Sequence, residues 1–160
     1  MKTFRLAASS VTLAAFALGA CSTTAASAPQ DAPYFGVYGG SYTCTDGEHG
    51  FYLDLASVRP ATGGGYDADG VLGFFPTLTG VSGPAGGVAG SFAVSGTISA
   101  DGDVAMTAGD WLVQPAGYGA ASLEGKLRAK PGGGYALTGK PVVPGSPGAC
   151  SNLIATQFLP

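Results

Sequence analysis

One histidine, His49, stands in a run of turn-forming residues, Thr45-Asp46-Gly47-Glu48-His49-Gly50, beside two carboxylates. An imidazole flanked by carboxylates suits general acid–base work or a metal ion. Either chemistry would rest on one ring, since the chain has a single histidine. A lone histidine in such a turn is expected to face solvent rather than to catalyse. No serine occupies a G-x-S-x-G elbow. Asp67-Ala68-Asp69-Gly70 and Asp101-Gly102-Asp103 begin like calcium loops, but neither continues to the closing glutamate at the twelfth position. Hairpin chemistry accounts for both. Gly134-Tyr135-Ala136-Leu137-Thr138-Gly139-Lys140-Pro141 nearly matches a phosphate-binding loop, yet Pro141 replaces the hydroxyl residue that would hold magnesium. No catalytic residue, metal ligand or cofactor is assigned, and a non-enzymatic function is expected.

The elements that would position any site are strands. The chain has 160 residues, of which 28 are glycine and 11 proline. After Cys21 its longest stretch free of both is Ala149–Leu159, eleven residues, and the next is Phe51–Arg59, nine. An average helix needs about 11–12 uninterrupted residues, and interior glycine costs about 1 kcal/mol. Strands need fewer, and the period-2 alternation of a half-buried sheet is visible. Phe51, Leu53 and Leu55 alternate with Tyr52, Asp54 and Ala56; the pairs Leu72/Phe74, Phe92/Val94, Val104/Met106, Leu123/Leu127 and Tyr135/Leu137 each share a parity.

Glycine- and proline-rich turns separate these runs. Candidate strands start near Tyr34, Gly50, Tyr66, Ala89, Val104, Ala120, Tyr135 and Cys150, spaced by 15 or 16 residues except for one 23-residue interval containing the insertion Pro76–Val88. Even spacing with short turns predicts an all-β fold: an eight-stranded antiparallel up-and-down barrel, with a β-sandwich as the alternative.

The N-terminus sets the location. Lys2 and Arg5 precede a 13-residue uncharged stretch, Leu6–Leu18, and then Leu18-Gly19-Ala20-Cys21. Thirteen residues suit a secretory h-region and fall short of the roughly 20 that span a bilayer core. The four-residue sequence resembles a bacterial lipobox, which implies that residues 1–20 are a signal peptide and that Cys21 is acylated and becomes the mature N-terminus. Ser22 after the cysteine implies sorting to the outer membrane, facing the periplasm. Residues 21–33 then form a lipidated tether, small, polar and proline-containing. Its twelve residues after Cys21 have a reach of roughly 20 Å. The membrane is thus one partner, through the lipid anchor.

Residues 34–160 form the remaining domain. Without Lys2 and Arg5 the chain keeps five basic and ten acidic residues, a formal charge of −5, which disfavours nucleic acid. In the oxidising compartment implied by the lipobox, the two other cysteines, Cys44 and Cys150, are expected to pair. They lie 106 residues apart, so the bond would join the first strand to the last and clasp a closed barrel.

The most distinctive stretch is Trp111-Leu112-Val113-Gln114-Pro115-Ala116-Gly117-Tyr118. Trp111, Pro115 and Tyr118 are candidates for a ligand or partner surface; the competing expectation is that Trp111 closes one end of the core and Pro115–Gly119 make a turn. An eight-stranded barrel either fills with side chains or holds one small ligand. Tyr42-Thr43-Cys44, the Trp111–Tyr118 stretch and Cys150 together resemble a small β-rich domain of bacterial envelope proteins with no assigned activity. Tyr42-Thr43-Cys44-Thr45-Asp46-Gly47 with a late cysteine is also similar to membrane-bound inhibitors of vertebrate-type lysozyme, small lipoprotein barrels with a first-to-last-strand disulfide. Their inhibitory Ser-Gly-x-x-Tyr loop is matched only in its first step, at Val81-Ser82-Gly83-Pro84. The expectation is a non-enzymatic envelope lipoprotein whose barrel binds a protein or a small apolar ligand. The alternative is an inhibitor of a lysozyme or other cell-wall hydrolase.

Overall fold

The computed structural model describes residues 32–77, 88–146 and 148–159. Cys21, the lipobox, most of the tether and Val81–Gly83 lie outside them. Eight strands follow one another: β1 Gly36–Cys44, β2 Gly47–Pro60, β3 Tyr66–Pro76, β4 Gly90–Ile98, β5 Asp103–Val113, β6 Ser122–Ala129, β7 Tyr135–Val142 and β8 Cys150–Leu159. Each pairs antiparallel with its neighbours in sequence, and β1 pairs with β8, so the sheet closes into an up-and-down barrel. Closure gives every strand a paired neighbour on both sides.

The expected alternation sets which side chains turn inward. Phe51, Leu53, Leu55, Leu72, Phe74, Phe92, Val94, Val104, Met106, Leu123, Leu127 and Leu137 are all buried, and Tyr38, Ile98, Leu153 and Ala155 complete the same core. Charged pairs sit on the outer wall: Arg59 with Asp69 at 2.6 Å and Lys140 with Glu124 at 3.3 Å, all four side chains about half exposed. This apolar-in, polar-out arrangement is the reverse of a lipid-spanning barrel.

Glycine lets the small barrel curve. At Gly70 a β-carbon would collide with the carbonyl oxygen of Asp54, beside the irregularity in β2–β3 pairing between Asp54 and Ser57. Elsewhere on the outer wall, aromatic rings lie over glycines: Phe158 on Gly39, Phe75 on Gly50 and Tyr52 on Gly73. Each ring shields backbone that glycine leaves bare, which accounts for the exposure of Phe75 and Phe158.

One turn differs from expectation. The β1–β2 connection is not a six-residue loop: Cys44 pairs with Gly47, leaving only Thr45 and Asp46 between the strands. His49 is therefore on β2, and its side chain is only 16% exposed rather than solvated. Asp101-Gly102 belongs to a four-residue loop, closed by Ser99 N–H to Asp103 O and Gly102 N–H to Ser99 O, with Gly102 at φ 86°. In addition, Ala32 and Pro33, read from sequence as the end of the tether, join a turn in which Phe35 N–H donates to Ala32 O, and Ala32 packs against the core.

The two ends of the barrel are unlike. At one end Tyr34 plugs the core, its ring edge-on to Tyr66 and Tyr135 at 5.4 and 4.8 Å, while its carbonyl accepts the Tyr38 hydroxyl at 2.9 Å. At the other end Cys44 and Cys150 face each other across the β1–β8 seam as a disulfide-bonded pair.

Candidate functional site

Among the described residues, the end opposite Tyr34 is open. Among the described residues, the short β1–β2 turn, residues 114–121 between β5 and β6, residues 143–146 and 148–149 between β7 and β8, and residues 77 and 88–89 between β3 and β4 lie at this end. Inside lies a cleft of about 330 Å³. Strand alternation places its apolar wall, which is made by the inward-facing residues nearest the mouth. Tyr42, Leu72, Phe74 and Phe92 come from β1, β3 and β4 in this way, with Pro141 from β7 and Val143 just beyond it. Tyr118 lines the cleft from the β5–β6 connection, and Cys44, Asp46, His49, Ser146 and Cys150 contribute to its rim.

Two aromatic pairs organise this mouth. Tyr42 stacks on His49 with ring centroids 5.3 Å apart and planes at 17°, and Tyr118 stacks on Phe74 at 5.5 Å and 22°. His49 Nε2–H donates to Asp46 Oδ1 at 3.0 Å, so the two-residue turn and the strand that follows it hold the imidazole in one orientation. Burial, assisted by the nearby Asp46 charge, pushes the Tyr42 hydroxyl well above the ordinary tyrosine range, so Tyr42 stays a neutral phenol.

Of the residues singled out from sequence, Tyr118 alone among the trio Trp111, Pro115 and Tyr118 faces the cleft. Trp111 lies behind it, partly buried and edge-on to Phe92 at 5.0 Å and to Phe74 at 6.3 Å, so it backs the wall against the core. Pro115 is buried and turns the chain: its carbonyl accepts Tyr118 N–H at 3.2 Å, and Gln114 Nε2 donates to Tyr118 O at 3.2 Å. Both residues hold Tyr118 in place. Sequence reasoning did not single out Tyr42, Phe74 or Phe92 as lining residues. The available signal was their position as the inward residues nearest the mouth, which needs strand ends known to within one residue.

A metal ion was not expected. Cys44, Asp46 and His49 do offer ligand atoms within 4.8 Å of one another. With Cys44 bonded to Cys150, that group retains only the imidazole and one carboxylate as competent donors, and those two already hydrogen-bond each other. The aspartates resembling calcium loops serve the outer wall instead: Asp69 binds Arg59, and Asp103 accepts Lys126 Nζ at 2.8 Å. The Gly134–Pro141 segment is a turn followed by strand β7, with Lys140 paired to Glu124. A second depression, about 470 Å³, lies at the plugged end among Ala61, Thr62, Asp67, Thr97 and Ser99. Its lining is smaller and more polar than that of the mouth.

Comparison with protein-family models, curated proteins and solved structures finds no match to this chain.

Proposed function

We propose that this chain is a non-enzymatic cell-envelope lipoprotein whose barrel binds a small apolar ligand in its open mouth. One observation carries the reading: the barrel is plugged at one end and holds a cleft of about 330 Å³ at the other, walled by Tyr42, Leu72, Phe74, Phe92 and Tyr118. That volume is at the lower bound of ordinary ligand sites, about 300–1,000 Å³, and an apolar wall with a few polar groups at one side is their usual composition. The stacked pairs and the His49–Asp46 hydrogen bond hold the wall in place without a ligand, which lowers the ordering cost of binding.

The direction of the chain sets which end of the barrel such an anchor would hold. The described chain enters the barrel at Ala32–Gly36, beside the Tyr34 plug. An acyl chain on Cys21 would hold that end toward the lipid and turn the mouth outward into the periplasm. An eleven-residue strand tilted by about 35–45° rises roughly 25 Å along the barrel axis, so the mouth stands about that far beyond the plugged end.

Native mass spectrometry of the protein isolated from its own envelope tests the proposal. A bound mass of a few hundred daltons or less, released on unfolding, is expected. A homogeneous apo spectrum under conditions that preserve other lipoprotein complexes would contradict it.

A further inference from the structure

The chemistry of the rim narrows the ligand class. Among the described residues lining the cleft there is one carboxylate, Asp46, one histidine bonded to it, and no lysine or arginine. The five basic residues among those described are all elsewhere. Arg59, Lys126, Arg128 and Lys130 belong to the plugged half of the barrel, and Lys140 is held on the outer wall by Glu124. A carboxylate or phosphate entering the mouth would meet Asp46 with no lysine or arginine among the described lining residues to receive it. An ammonium group would meet Asp46 on the side of the mouth where Tyr42 stacks on His49, with the rings of Phe74, Phe92 and Tyr118 left for an apolar part.

Aromatic π-systems attract cations, most strongly where water is excluded, and a nearby carboxylate adds to that attraction. The Asp46 side chain is 55% exposed, which places its charge at the entrance rather than in the apolar floor. We propose that the cleft selects a small organic cation, an apolar group bearing one ammonium centre, with the ammonium at Asp46 and the apolar part against Phe74, Phe92 and Tyr118. This rests on the ligand-binding reading above and adds the sign of the ligand's charge.

The chain's single tryptophan reports on the site, because Trp111 packs against Phe74 and Phe92. The test titrates the full-length protein with phenyltrimethylammonium, with its neutral carbon isostere tert-butylbenzene, and with benzoate. Binding is followed by Trp111 fluorescence and independently by saturation-transfer NMR. The cation is expected to bind at least tenfold more tightly than the isostere, with benzoate weakest. Asp46→Asn keeps a turn-forming residue and an acceptor for His49; it should cut the cation's advantage at least fivefold and leave the isostere's affinity within twofold. Equal binding of cation and isostere, or tightest binding of benzoate, would overturn the cation assignment while the ligand-binding reading stands. Failure of all three probes to bind would overturn both.

Discussion

Breaking the Cys44–Cys150 clasp puts a number on barrel closure. The two cysteines are 106 residues apart, so the bond shortens nearly the whole domain's loop in the unfolded state. The loop-entropy relation gives about 4.8 kcal/mol at 25 °C for that separation, an upper value for a bond of this kind. Cys44 and Cys150 are directly opposed in the β1–β8 register, which brings their side chains together across the seam. The assay compares urea unfolding of the wild type with the double variant Cys44→Ser/Cys150→Ser, both followed by circular dichroism. With a urea dependence of about 2 kcal/mol/M, the midpoint should fall by roughly 2 M. The slope itself should rise modestly, because the uncrosslinked chain exposes more surface when unfolded. A midpoint shift under about 0.5 M would refute the reasoning, since closure would then not depend on constraining the unfolded chain.

Three further outcomes are expected. Gly70→Ala should destabilise the fold by about 1–3 kcal/mol in the same assay, because its β-carbon meets the fixed Asp54 carbonyl; an unchanged midpoint would show that β2 yields there without cost. Burial raises the Tyr38 and Tyr42 hydroxyls above their unfolded value near 10, so the folded state favours the neutral phenol. The stability this contributes is fully present below about pH 10 and lost as pH rises beyond it; urea midpoints should fall between about pH 9.5 and 11, and a flat profile would contradict the burial of these hydroxyls. Vertebrate-type lysozyme should keep full activity in a large molar excess of the protein, and dose-dependent inhibition would favour the inhibitor alternative over ligand binding.

Much of the fold is legible in the residues because its signals are local. Phe51, Leu53 and Leu55 declare a strand face within five positions, and glycine clusters such as Gly63-Gly64-Gly65 mark turns without reference to the rest of the chain. Even strand spacing and two distant cysteines then leave a first-to-last closure as the simplest arrangement, and β1 does pair with β8. The mouth is harder to read. Tyr42, Phe74, Phe92 and Tyr118 come from three strands and one connection, and nothing in their individual surroundings distinguishes them from core residues. His49 was misplaced for a definite reason: Thr45–Gly50 contains enough turn-forming residues for a long loop, but the pairing of Cys44 with Gly47 closes the turn after two. Starting β2 at Gly47 rather than near Gly50 moves the imidazole from solvent onto Tyr42 at the rim of the cleft.

The central claim, an open barrel mouth built to receive a small apolar molecule, is tested most directly by mapping where such molecules bind. Backbone amide shifts of the isotope-labelled protein, recorded during titration with benzene-sized apolar fragments, locate the contact. The account predicts saturable changes confined to Tyr42–His49, Phe74, Phe92, Gly117–Ala121 and Pro141–Cys150, with Tyr34, Tyr66 and Tyr135 unmoved. Saturable changes centred on the Tyr34 plug, or no saturable change anywhere, would contradict it.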